Sequence, residues 1–300
     1  FNLENGFERY FFYTRYQIGG KILSRQGVGI TYFPLSELKF PLDVFMIYSN
    51  LTLTLLDRIS IHFNVKKNIH NRVGKMQDSD WVPLPGLKTI YSESDARLNA
   101  IITETDLDVR LYTISFFSIK LGAGFMHQYL HYSCSNVVQT DIIDSNYNLE
   151  MPSIIMIQGK IITYEVQYYI FTMQIIPVFT IPIGRGYLQI TPAIRFSPYL
   201  KARDIDDHIL RGKIAKGDSK GTAFMPYLNI RYFFANRVFI AAKLEYLYLR
   251  SKGKQTQSYY NPFLEPQVTN NIPGWSARIE NKLKSEQLVI SLGAGYSFEF

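Results

Sequence analysis

Two pairs of polar residues have the types and the spacing that acid–base chemistry requires. Residues 76–81 read MQDSDW and place Asp78 and Asp80 two positions apart. Residues 204–208 read DIDDH and place Asp206 and His208 at the same spacing. In an extended chain, residues two apart project to the same side, so the members of each pair would act together.

The Asp78/Asp80 pair suits a water molecule or a shared proton. Two carboxylates this close do not both ionise cheaply, so the apparent pKa of the pair rises. Taken alone, an Asp-x-Asp in an exposed loop is more often a solvated turn than a reactive site. The first pair therefore does not decide the function by itself.

The Asp206/His208 pair adds a general base. A carboxylate beside a histidine orients the ring, fixes its tautomer and stabilises the imidazolium, so the histidine can accept a proton near neutral pH. Both pairs fall where predicted strands meet long connections. We therefore expect the two pairs to face each other across the mouth of one fold.

The elements around these pairs show a period of two. Apolar and aromatic residues alternate with small or polar ones at 288–300, and the pattern recurs at 238–248, 162–168 and 106–111. In the last three segments the second face carries polar or charged residues. Such charges fit poorly in the core of a soluble sandwich, but they fit the wet interior of a barrel whose outer face meets lipid.

We therefore predict an all-β fold, an antiparallel transmembrane β-barrel of about ten strands with extended extracellular loops, as a single domain over residues 1–300. The strands are expected near residues 7 to 33, 36 to 55, 57 to 70, 97 to 113, 115 to 133, 159 to 178, 185 to 204, 219 to 235, 237 to 252 and 277 to 300. Long polar connections are expected at about 70 to 97, 134 to 158, 205 to 218 and 252 to 276. Short turns alternating with long loops are typical of outer-membrane barrels.

Composition agrees with a barrel. The chain is 47% hydrophobic with 22 Tyr and 21 Phe, yet no run of about 18 uncharged apolar residues exists, which excludes spanning helices. The net charge of +7 is scattered rather than massed on one face. We therefore expect anionic lipid head groups as a partner and no nucleic acid.

Other residues suggest no competing chemistry. The single Cys134 excludes an intrachain disulfide and is not predicted to be a nucleophile. Four histidines lack partners at metal-binding spacing, so we expect no metal: His62, His70, His127 and His131. No leader opens the chain at Phe1, which favours a mature form, and Phe300 resembles the terminal aromatic residue of proteins assembled into bacterial outer membranes.

The two motifs, in register with the predicted strands, resemble the omptin family of outer-membrane proteases, whose fold is a ten-stranded barrel that rises above the membrane. The resemblance spans most of the chain. Its specific residues are Met76, Asp78, Asp80, Trp81, Asp204, Asp206 and His208.

The resemblance implies an endopeptidase of aspartic type in the bacterial outer membrane, with its active site facing the exterior. Asp206 and His208 would activate a water that attacks the scissile carbonyl, and Asp78 with Asp80 would bind that water and the developing oxyanion. Asp204 would help to hold a basic side chain before the cut. The resemblance implies no acyl-enzyme, no metal and no cofactor, but lipopolysaccharide as an activator.

Three features depart from the family pattern. An apolar Ile30 stands near the place of the family's first-strand acid, so specificity for a basic residue stays open. A second family acid aligns near Ser92, and we expect the adjacent Glu93 to contribute to substrate binding. Basic residues near the second pair are candidates for lipopolysaccharide binding, or form a solvated charged loop: Arg211, Lys213, Lys216 and Lys220.

The expected partners are polypeptide substrates and outer-membrane lipid, and the expected state is a monomer. The competing class is a barrel without enzymatic activity, such as a small porin, an adhesin or an inactive omptin relative. Lumen charges such as Arg110, Lys243 and Glu245 are compatible with either class.

Overall fold

Thirteen antiparallel strands form one closed sheet in the part of the chain that the computed structural model describes, residues 1–24, 27–82, 84–143, 148–235, 237–261 and 276–298. The strands are β1 Asn2–Ser24, β2 Gly27–Ile30, β3 Ser36–Pro41, β4 Val44–Leu55, β5 Ile59–Asn68, β6 Arg72–Asp80, β7 Ile90–Ile114, β8 Phe117–Ile143, β9 Leu149–Ile183, β10 Gly186–His208, β11 Lys213–Phe233, β12 Val238–Tyr259 and β13 Ser276–Ser297. A 3-10 helix, Ile209–Arg211, follows β10.

The sheet closes because β1 pairs with β13 from Asn2 opposite Ser297 to Ser24 opposite Ala277. Strands β3 and β4 lie end to end beside β1, and β5 and β6 lie end to end beside β7. Strand β2 only extends the β1 hairpin. The antiparallel barrel is confirmed. The predicted count of about ten strands is too low, because breaks divide two of the ten positions around the barrel and β2 adds one more strand.

Strands replace much of what the sequence predicts as long loops. Strand β6 and the beginning of β7 occupy the predicted loop at 70–97, and β8 and β9 extend far into the one at 134–158. Above the membrane both faces of a strand carry polar residues, since one meets water and the other lines a polar site. The alternation that identifies strands is therefore lost there, although the pairing continues.

The outer surface changes in composition along β10. On β10, Ile194 and Phe196 are exposed, Tyr199 follows, and Lys201 and Arg203 come last. This order matches an apolar belt against lipid, an aromatic residue at the interface and charged residues in water. The barrel therefore extends well beyond the membrane at the end opposite the short turns at 56–58, 115–116 and 184–185.

Ion pairs fill the barrel at the level of the apolar belt. The Lys66 Nζ lies 3.2 Å from a carboxylate oxygen of Glu8 and 2.9 Å from one of Glu104. Arg195 contacts Glu104 at 3.0 Å and Asp106 at 2.9 Å. All five side chains are buried. Mutual pairing compensates the cost of burying these charges.

An aromatic layer covers this ionic network on the side of the charged rim. Phe40 stacks on Tyr164 at 4.5 Å between ring centroids and contacts Tyr132 at 4.8 Å. All three rings are fully buried. Such pairs contribute about 0.5–1.5 kcal/mol each beyond their buried area. Buried ion pairs and packed rings therefore occupy the described part of the lumen.

None of the described helical residues forms a helix long and apolar enough to cross a membrane. The predicted terminal aromatic residue, Phe300, lies outside the described residues.

Candidate active site

The Asp78/Asp80 pair lies in a strand rather than in the predicted loop. Asp78 on β6 is paired with Leu38 on β3 and with Ser92 on β7. Asp80 ends the strand, and its backbone oxygen accepts the N–H of Thr89 at 2.9 Å. Because the segment is extended, both side chains lie on one face and line the same cavity.

The Asp206/His208 pair occupies the end of β10. Asp206 is paired with Tyr164 on β9 and with Ala215 on β11. His208 is the last residue of the strand, and its Nε2 lies 2.9 Å from a carboxylate oxygen of Asp206. The predicted Asp–His contact is therefore present, and a strand paired on both sides positions it.

The structure brings the two pairs together at one cavity of about 220 Å³. Asp78, Asp80 and His208 line it, and Asp206 reaches it through His208. The other lining residues are Met76, Ile90, Ser92, Ser94, Val137, Gln139, Ile157, Ile161, Ile162, Leu210 and Arg211. A volume far above the roughly 10–15 Å³ that one water needs leaves room for a water and part of a substrate.

Each pair carries one buried carboxylate oxygen that accepts no hydrogen bond within the described residues. These atoms are Oδ1 of Asp78 and Oδ1 of Asp206. A buried polar atom without a partner costs free energy, and such atoms are tolerated where a ligand or a water completes them. Both pairs are therefore poised to bind a further polar group.

Burial gives the two pairs complementary protonation states. Burial, and secondly the charge of Asp80, raises the pKa of Asp78 well above its ordinary value, which favours a protonated carboxyl group. Burial lowers the pKa of His208 although Asp206 opposes the shift, so the imidazole is neutral near pH 7. The site thus holds a hydrogen-bond donor beside a base.

Asp204 lies next to the second pair but not on the cavity. It is buried, one of its oxygens accepts a hydrogen bond from the Asn281 amide at 3.3 Å, and its Oδ2 has no partner within the described residues. Burial, and secondly Asp206, raises the pKa of Asp204 to about 8. A cationic side chain would stabilise this carboxylate.

Glu93 is not brought to the site. Its neighbours on β7, Ser92 and Ser94, face inward and line the cavity, whereas Glu93 faces outward. There it accepts hydrogen bonds from Tyr91 at 2.6 Å and Gln77 at 3.2 Å. This position gives no support to a role of Glu93 in substrate binding.

His62 and Cys134 have different surroundings from those that the sequence predicts. His62 is not an isolated strand-end residue, because its Nε2 lies 2.9 Å from Asp108 inside the barrel. Cys134 lies within β8 rather than past a strand, and burial raises the pKa of its thiol to about 12, so it is not a nucleophile. The described residues contain no cluster of three or more His, Cys, Asp or Glu suited to a metal ion.

The apolar wall of the cavity was not predicted from the sequence. Val137, Ile157, Ile161 and Ile162 fall in or beside a segment predicted as a long polar loop, yet they line the site. The five isoleucines among residues 154–162 were the available signal, and only the structure shows that Ile157, Ile161 and Ile162 line the site.

A closed barrel with an apolar outer belt, carrying an acid pair and an Asp–His pair on one cavity, defines an outer-membrane protein with a hydrolase-type site. Comparison with known families agrees. The family model described as the Omptin family matches residues 32–298. The chain belongs to the omptin family of bacterial outer-membrane proteases.

Of two alignments with solved structures, the first shows the same fold and the second is too distant to support it. The outer-membrane protease OmpT from Escherichia coli aligns with a TM-score of 0.77 and 16% identity over 99% of this chain and 96% of that one. The translocator domain of the autotransporter NalP from Neisseria meningitidis gives a TM-score of 0.39 at 8% identity, over 99% of this chain and 89% of that one. No curated protein matches the sequence.

Proposed function

We propose that the chain is an endopeptidase that hydrolyses peptide bonds with a water activated by His208 and Asp206 and positioned by Asp78 and Asp80. One observation carries the proposal: strands β6 and β10 bring both pairs to the same cavity at the charged end of the barrel. Neither pair alone indicates more than a polar strand end.

The proton transfers follow from the hydrogen bond of His208. With its Nε2–H donated to Asp206, the Nδ1 atom is the nitrogen that accepts a proton from the attacking water. The resulting hydroxide bonds to the scissile carbonyl carbon while Asp206 stabilises the imidazolium. When the C–N bond breaks, the imidazolium returns the proton to the leaving amine. The products are a free carboxylate and a free amine.

The acid pair supplies the electrostatic part of the reaction. A protonated Asp78 donates a hydrogen bond to the oxyanion that develops from the carbonyl oxygen, and its partner Asp80 holds the water. In a partly buried site such a fixed donor stabilises the transition state more than bulk water does. This mechanism needs no covalent intermediate.

Asp204 is proposed to contact a basic side chain on one flank of the cut. Its buried carboxylate carries an oxygen without a partner among the described residues. A substrate lysine or arginine would supply the missing charge and hydrogen bonds.

A phosphate-bearing anionic lipid, with lipopolysaccharide as the proposed source, fits the outer surface above the apolar belt. Four lysines lie directly opposite one another on four neighbouring strands. Lys220 on β11 is paired with Lys201 on β10 and with Lys252 on β12, and Lys252 is paired with Lys282 on β13. Like charges directly opposite each other destabilise a sheet unless an anion compensates them. These four residues, the lysine row, lie outside the membrane on the side of the charged rim, which we propose faces the cell exterior.

The test is peptide hydrolysis by the purified protein, refolded with lipopolysaccharide and offered a library of quenched fluorescent peptides. Wild type is expected to cleave, and Asp206→Ala and His208→Ala are expected to lose about 10²–10⁴-fold in kcat/KM. His62→Ala is the matched control, because His62 has the same 2.9 Å contact with Asp108 but lies below the aromatic layer. Equal activity in all four proteins refutes the mechanism.

A channel function predicts the opposite outcome. Ion conductance in planar bilayers by the wild type, with no hydrolysis in any form, would replace the peptidase by a transport barrel. The filled lumen predicts that no such conductance is found.

A further inference from the structure

The cavity beside the catalytic pairs has an aliphatic wall. Val137 on β8 and Ile157, Ile161 and Ile162 on β9 form it. Ile161 and Ile162 are buried, but Ile157 keeps 37% of its surface exposed. Covering exposed apolar surface favours binding. The wall therefore favours an apolar ligand group.

The register places this wall on the sheet face that carries the acid pair. Asp78 is paired with Ser92, and Ser92 is paired with Gln139. Gln139 is in turn paired with Ile155 on β9. Residues directly opposite each other project to the same face of a sheet. One continuous row thus leads from the catalytic carboxyl group to the inner face of the upper part of β9.

The upper part of β9 also offers backbone partners. Its pairing with β10 ends at Ile162 opposite His208. From Leu149 to Ile161 no described strand pairs with β9 on that side. An open strand edge binds an extended polypeptide through main-chain hydrogen bonds, and alternate side chains of that polypeptide then face the sheet's inner side. A substrate bound there would pass beside His208.

The cavity carries charges of both signs. Asp78 and Asp80 line it as acids, and Arg211 lines it as a cation whose charge lowers the pKa of Asp78. Because Arg211 offsets part of the charge of the acid pair, charge selects a basic ligand group only weakly, and the aliphatic wall decides the preference. Asp204, the candidate for a basic side chain, lies outside this lining.

We propose that this cavity is a subsite for an aliphatic side chain, such as valine, isoleucine or leucine, of the substrate residue that flanks the scissile bond on the side away from Asp204. The inference rests on the proposed peptidase function and assigns the substrate class of the same site. The aliphatic wall selects for it. The enzyme would then cut next to an aliphatic residue rather than between two basic ones.

The first test profiles the wild-type enzyme, refolded with lipopolysaccharide, on quenched peptides that vary one residue at a time around the cut. Aliphatic residues on one flank are expected to give kcat/KM values about 10-fold or more above those of lysine or arginine at that position. Equal rates, or a preference for basic residues on both flanks, overturn the inference but leave the peptidase function intact. No hydrolysis of any peptide overturns both.

The second test moves the preference with a point variant. Ile157→Asp puts a carboxylate on the wall, so the ratio of aliphatic to basic kcat/KM is expected to fall about 10-fold. Ile154→Asp is the matched control, because Ile154 lies on the same strand, is 66% exposed and projects to the opposite face from Ile155. The same shift in both variants, or no shift in Ile157→Asp, contradicts the assignment.

Discussion

Asp78 and His208 line the same cavity although β7, β8 and β9 separate their strands around the barrel. Each residue is fixed by pairing with neighbouring strands rather than by a loop. Strand pairing therefore sets the distance between the proposed oxyanion donor, Asp78, and the proposed base, His208. Four experiments follow from this arrangement.

The pH dependence of kcat/KM should be bell-shaped. Because the pKa of His208 is lowered, the acid limb of the profile should lie below the ordinary value of 6.5. The imidazole is then neutral at pH 7, so kcat/KM should already be at its plateau there. The raised pKa of Asp78 means that deprotonation removes the donor only at higher pH, which gives an alkaline limb. Asp78→Asn keeps a donor and should lose the alkaline limb. An unchanged alkaline limb in that variant assigns it to another group.

Asp206→Asn should lower kcat by about 10²–10⁴-fold, because the amide does not stabilise the imidazolium. The Asp206 carboxylate raises the pKa of His208, so its removal should also move the acid limb of the residual activity to lower pH. A purely structural role would reduce kcat without moving that limb. The measurement is the pH profile of kcat for both proteins.

Asp204 should make the protein less stable at alkaline pH. Its pKa is about 8 when folded, against an ordinary 3.8, so the folded state binds more protons than the unfolded state between these values. The free energy of unfolding therefore falls as pH rises from about 4 to 8. Asp204→Asn should remove this loss. The urea midpoint at pH 5 and pH 9 measures it, with Asp207→Asn, on the outer face, as the control.

Lys252→Glu should change lipid binding and stability in opposite directions. The new carboxylate would pair with Lys220 and Lys282 across the sheet, which adds about 0.2–1 kcal/mol per pair in neutral detergent. The same variant should bind vesicles that contain lipopolysaccharide more weakly than the wild type does. Lys21→Glu, away from the lysine row, is the control. Equal vesicle binding by all three proteins excludes the row as a lipid site.

The barrel class and the two polar pairs could be predicted from the sequence, but the ends of the strands around the site could not. At 238–248 the apolar face meets lipid, so the period of two is visible and the predicted strand exists. At 72–80 both faces are polar, and β6 was therefore predicted as loop. Asp78 could be singled out because two acids at that spacing are chemically distinctive.

The face of a strand to which a side chain projects is harder to predict from the sequence than the type of chemistry that the side chain can do. Glu93 and Ser92 are adjacent in sequence, but pairing with β6 and β8 sends Ser92 inward and Glu93 outward. The alternation of β7 continues through this region, with Ser94 and Ala96 also buried, because the irregular pairing between Glu93 and Asp95 places the extra residue on β8. Glu93 therefore does not replace an acid at position 92, because a shift of one residue along a strand moves the side chain from the inner face to the outer face.

The ionic and aromatic layers around Lys66, Arg195 and Phe40 separate the two ends of the barrel. We propose that peptides produced at the rim do not pass through the barrel. Digestion would then be decoupled from uptake: peptides would diffuse back into the medium from which the substrate came, and a cell that feeds on them would import them through a different protein.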